Sequence, residues 1–137
     1  MKTSLFIILF FLTAPVTQAQ VNELIGTWTV IEMTNKSDQD SSKLTEDQFK
    51  SNGLFFDCFF MENSKFKQTG NLADESNGAV TTQEGTWKIS GNNLIVTLEM
   101  SGNKFDLNYT WELKNQTLIL SRTWPGMKVI MAFRKKQ

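Results

Sequence analysis

The sequence predicts an all-β fold: an eight-stranded antiparallel up-and-down barrel with one short helix between its first two strands. Three observations lead there. Apolar and polar residues alternate with a period of two over most of residues 54–133, as in strands that are wet on one side only. Short turn signals such as Gly91-Asn92, Asn115-Gln116 and Pro125-Gly126 separate these runs, so consecutive strands fold back as hairpins. Eight one-faced strands expose two sheet edges unless the sheet closes, and closure into a barrel removes both.

The chain opens with an export pattern. Lys2 is followed by the apolar run Leu5–Leu12, then by Pro15 and the small residues at Thr17 and Ala19. The run is too short for the roughly 20 residues of a membrane helix, so residues 1–19 are expected to be a signal peptide cleaved after Ala19. Cys58 is the only cysteine and lies far from that cleavage site, so no lipoprotein anchor is expected. Residues 20–137 form the single domain, placed in the periplasm or secreted, with no membrane span.

The first strand is expected near 26–33, followed by a polar loop over 34–43. Thr45 and Gln48 have the spacing of a capping box, Leu44 and Phe49 that of a hydrophobic staple, and Gly53 ends the helix. Phe55–Met61 and Lys65–Thr69 form a hairpin; a three-residue loop sets Phe60 against Phe66, placing Phe56, Cys58, Phe60 and Phe66 on one face and Phe55, Phe59 and Met61 on the other, whereas a two-residue loop reverses that relation. A polar loop over 70–79 leads to a strand near 80–90. The Gly91-Asn92 turn then sets Ile89 against Leu94 and Trp87 against Val96. Phe105, Leu107, Tyr109, Trp111 and Leu113 alternate without error with polar neighbours. Leu118 and Leu120 continue their phase, and Val129, Met131 and Phe133 mark the last strand.

Composition removes several classes of function. Fourteen basic and 14 acidic side chains balance, so the chain lacks the charge of a general nucleic-acid binder. It has no histidine, which excludes histidine-based triads and His-ligated metals, and a single cysteine forms no internal disulfide or thiolate cluster. No carboxylate pair, metal set or phosphate-binding glycine loop stands out. The expectation is a protein without cofactor or metal that is not an enzyme. Tyr109 and Arg122 are the residues an enzymatic reading would have to use.

The segments Leu24-Ile25-Gly26-Thr27-Trp28 and Glu84-Gly85-Thr86-Trp87-Lys88-Ile89 resemble the lipocalins, and more closely the small bacterial lipocalin-like domains. The vertebrate-type Thr-Asp-Tyr signature and disulfide are missing. The resemblance implies that Trp28 plugs the closed end of the barrel after the turn at Gly26. It also implies that a basic residue on the last strand, taken as Arg134, packs over that ring.

In such a barrel the tight turns at 62–64, 91–92 and 114–116 mark one end. Longer connections at 34–53, 70–79, 101–104 and 123–126 mark the mouth, where ligands enter. Arg122 continues the inward phase of Leu118 and Leu120, beside Trp124 at the rim. Its guanidinium either anchors the carboxylate of a small hydrophobic, fatty-acid-like ligand or pairs with Glu32. Phe56, Met100, Phe105 and Tyr109 complete the expected ligand-binding set. The rival reading is a filled barrel that acts as a protein-interaction or inhibitor module in the cell envelope, through the outer face of Phe55, Phe59 and Met61 and the loop 34–53. Cys58 is expected to be a small core residue.

Overall fold

A computed structural model describes residues 16–72 and 78–137. The leader expected over residues 1–19 lies mostly outside these residues, as does the middle of the 70–79 loop. Helix α1 (Gln18–Leu24) starts on a reciprocal cap between Thr17 and Gln20. It is followed by strand β1 (Gly26–Ser37), short strand β2 (Ser41–Leu44), helix α2 (Glu46–Ser51) and strands β3 (Phe56–Phe60) and β4 (Lys65–Gly70). The chain continues through β5 (Thr81–Ser90), β6 (Asn93–Met100), β7 (Asn103–Lys114), β8 (Thr117–Trp124) and β9 (Met127–Lys135).

Strands β3 to β9 pair in sequence order, and β1 pairs with both β3 and β9. Eight strands therefore close into an antiparallel barrel. The hairpin registers follow from the turns as expected: Ile89 faces Leu94, Trp87 faces Val96 and Phe60 faces Phe66. Helix α2 carries the Thr45–Gln48 capping box, and Gly53 ends the turn at a φ of +62°.

Residues 34–43 are not the polar loop that composition suggested. Strand β1 runs on to Ser37, and β2 returns along its upper half with Met33 opposite Leu44 and Lys36 opposite Ser41. The lower half of β1, Gly26–Thr29, pairs with β3. Polar side chains are no obstacle to a strand here, because backbone pairing with β2 and β9 satisfies their N–H and C=O groups. The connections at 101–104 and 123–126 are likewise shorter than expected. They tighten to Ser101-Gly102 and Pro125-Gly126, with φ of +78° at Gly102 and +80° at Gly126.

A β-bulge at Ile31 interrupts the β1–β9 ladder, where Val30 faces Phe133 but Glu32 faces Ala132. One extra residue moves every later side chain of β1 to the opposite face. Met33 therefore turns inward beside Met131, and Glu32 turns out to meet Lys43 at 3.2 Å. The phase shared by Trp28 and Val30 does not extend to Glu32.

The core fills the closed half of the barrel. Trp28, Phe60, Leu94, Val96, Leu118, Leu120 and Phe133 are each at most 2% exposed. Phe60 packs its ring at 5.1 Å from Phe66 and edge-on to Trp87 at 5.5 Å. Cys58 is buried there, and burial raises its thiol pKa. Gly85 is required by close approach: a Cβ would lie 1.8 Å from the Thr97 carbonyl oxygen. Outside the wall, Arg134 binds Glu46 of α2 through both guanidinium nitrogens, and Lys136 Nζ reaches Asp57 Oδ2 at 2.8 Å. Arg134, with Lys50 second, holds the Glu46 carboxyl below its usual range.

Candidate functional site in the upper barrel

Trp28 and Trp87 close the lower end. The Trp28 indole Nε1 donates to Leu24 O at 2.8 Å, which ties α1 beneath the barrel, and Trp87 Nε1 donates to Met61 O at 3.0 Å. Gly26, at a φ of +138°, makes the turn into β1. The cation over the Trp28 ring is Lys135, with Nζ 5.4 Å from the ring centroid, and not Arg134. Strand periodicity explains the correction. Phe133 points inward, so Lys135 shares its face and Arg134 turns out toward Glu46. Lys135 also donates to Glu23 O at 2.9 Å.

The inward residues change character toward the other end. Phe56, Leu107, Tyr109, Arg122 and Val129 are only half-buried although their registers face the interior. Met100 and Phe105 are 43% and 49% exposed. Water therefore reaches down this half of the barrel, while the lower half is closed to it. Arg122 lies with its guanidinium carbon 5.1 Å from the Trp124 ring centroid. It does not pair with Glu32, which the bulge has turned away, and it forms no ion pair among the described residues.

Tyr109 is the second polar group of this region. Burial pushes its hydroxyl pKa up to about 12, with Cys58 adding to the rise and Arg122 opposing it. The phenol is therefore a proton donor at any ordinary pH. Two inward residues escaped the sequence reading. Gln68 and Gln83 face each other across β4 and β5 and share a hydrogen bond, and Gln83 Nε2 also reaches Met100 Sδ at 3.2 Å. Counting in twos from Phe66 and back from Trp87 would have found them.

The described lumen side chains thus offer a guanidinium, a phenol and an amide pair among apolar walls, with no carboxylate and no imidazole. A groove of about 180 Å³ lies on the rim of the open end at Lys36, Ser37 and Met127, and two more lie elsewhere. One of about 750 Å³ opens at the closed end beside Trp28, Leu113 and Lys114. Three of its cations are already committed: Arg134 to Glu46, Lys135 to Glu23 O and Lys136 to Asp57. Another of about 650 Å³ runs outside the wall past Met61, Lys65 and Glu84. Neither includes Arg122. The outer trio of the rival reading does not form one patch either: Phe59 lies under Lys67 at 4.5 Å, Phe55 is half-buried, and Met61 alone is exposed.

An eight-stranded barrel plugged by a Gly-x-Trp tryptophan at one end and open to water at the other has the architecture of a lipocalin-like protein. The chain belongs to the lipocalin-like domain family, which it matches over residues 24–120. It is similar in fold to a lipocalin-like protein from Bacteroides uniformis, at 18% identity and a TM-score of 0.51, covering 83% of this chain and 99% of that one. A protein of uncharacterized function from Bacteroides eggerthii is alike to the same degree, at 18% identity and a TM-score of 0.51, over 82% and 98% of the two chains. The fluorescent protein UnaG aligns over 85% of this chain and 99% of its own, at 10% identity and a TM-score of 0.47. No curated protein sequence matches the chain.

Proposed function

We propose that this protein is an exported carrier that takes a small hydrophobic ligand with an anionic head into the open end of its barrel and does not transform it. One observation supports the reading above others. Among the described residues, six large hydrophobic side chains are exposed, and five of them, Val80, Met100, Phe105, Trp124 and Met127, surround the end where Arg122 sits. Apolar surface concentrated around one opening is an expected feature of a binding mouth. Arg122 supplies a planar, bidentate partner for a carboxylate just inside it. The absence of a base among the described lumen side chains, with Tyr109 held protonated, favours binding over catalysis. The leader pattern of residues 1–19 supports export, and cleavage after Ala19 would leave residues 20–24 of α1 beneath Trp28.

Native mass spectrometry of protein purified from its source, followed by displacement of a fluorescent fatty acid, tests this. A co-purifying mass and saturable displacement are expected, with affinity reduced in Arg122→Ala. No co-purifying mass and no displacement in wild type would end the carrier reading and leave a protein-contact role for the rim. Equal binding by wild type and Arg122→Ala would end only the anchor role.

A further inference from the structure

Three tryptophans of this barrel face inward, and their indole N–H groups are treated differently. Trp28 and Trp87 donate to backbone carbonyl oxygens. Trp111 Nε1 is buried without an acceptor. A buried N–H left unpaired loses its hydrogen bonds to water without a replacement, so such a group in a native fold calls for an explanation. Its position suggests one. Trp111 lies opposite Leu120, one inward step deeper along β8 than Arg122, and one inward step beyond Tyr109 on its own strand. The nearby inward residues Leu94, Leu113, Leu118 and Leu120 have no side-chain acceptor. The Gln68–Gln83 amides hydrogen-bond to each other across β4 and β5.

We propose that Trp111 Nε1 is a ligand-binding donor, and that the ligand carries a neutral oxygen acceptor, a ketone, ester or ether, on its chain below an anionic head held at Arg122. The inference rests on the carrier reading and narrows its ligand class. Two residues of strand span roughly 7 Å, so the acceptor lies about five to eight carbons from the head group. A plain hydrocarbon chain leaves the indole unpaired. The site therefore selects a functionalised amphiphile over a saturated fatty acid.

Displacement of the fluorescent fatty acid by three competitors tests this: stearate, an oxo-stearate with its ketone in that window, and one with its ketone near the methyl end. Wild type is expected to bind the ketone in the window roughly 3- to 10-fold more tightly than the other two, the range of one net hydrogen bond. Trp111→Phe is expected to level the three. A second readout uses wild type alone. Among the indole N–H resonances of its four tryptophans, one is expected to shift with the windowed ketone and not with stearate. Equal affinities in wild type, a preference that survives Trp111→Phe, or indole resonances that ignore the ketone would each overturn the inference and leave the carrier reading standing. If none of the three competes, the carrier reading fails for carboxylate amphiphiles and takes this inference with it.

Discussion

The two ends of the barrel are built from the same alternating strands yet treat their aromatic side chains in opposite ways. At the closed end Trp28 is 1% exposed, its N–H is paired, Lys135 lies over its ring and α1 is tied beneath it. At the open end Phe105 and Trp124 are 49% and 39% exposed, and the guanidinium of Arg122 lies over the Trp124 ring. Stability is concentrated where hydrogen bonds and packing coincide, and the proposed binding where apolar surface and charge are left to water. The two functions of an aromatic residue, filling a core and offering a surface, are separated along one axis.

Truncation of a single ring at each end gives the largest contrast. Trp28→Ala is expected to lower unfolding free energy by about 3–5 kcal/mol in urea titrations, whereas Phe105→Ala costs roughly 0.5 kcal/mol or less. Similar losses at both positions would break the comparison. Gly85→Ala comes next, since its methyl group meets the Thr97 carbonyl. An overpacking loss of about 1–3 kcal/mol is expected in urea titrations.

Arg122→Ala sharpens the comparison from the other side. Probe affinity is expected to fall roughly 10-fold, as for the loss of a charge-assisted hydrogen bond, while the urea midpoint stays close to that of wild type. A smaller effect belongs to Tyr109, the only tyrosine of the chain, so phenolate absorbance reports it alone. Its midpoint is expected near 12 in the folded protein against about 10 unfolded. The folded state holds this proton more tightly than the unfolded chain does. The stability it contributes is therefore complete below pH 10 and is lost as pH rises from about 10 to about 12. A folded-state midpoint at the unfolded value would place the phenol in free contact with water. At the closed end, Lys135→Ala is expected to cost about 0.5–1 kcal/mol for loss of its ring contact. Arg134→Ala should leave Trp28 fluorescence unchanged, because Arg134 serves the outer seam to α2.

Much of this was legible in the linear pattern. The hairpin registers at Gly91-Asn92 and around Glu62-Asn63-Ser64 follow from turn length, and α2 follows from its cap and staple. Arg122 and Tyr109 were placed on the inward face by counting in twos, and the structure brings them to the same region. The count failed where it crossed Ile31. The apolar residues Trp28, Val30, Ile31 and Met33 do not keep a period of two, and that irregularity was the available signal of a bulge. Arg134 was taken one residue too early, although the inward phase of Phe133 already pointed to Lys135.

Alternation, turn chemistry and capping act over a few residues, so the sequence by itself determined the strands, their pairing order and which face of each is apolar. Long-range pairing decided the rest. Whether β1 slips by one residue depends on its fit to β9, which follows it by about a hundred positions in the chain. Which indole finds a carbonyl depends on where the closed-end backbone happens to pass. Those are properties of the closed barrel as a whole, and they determine which end is sealed and which is left open to water.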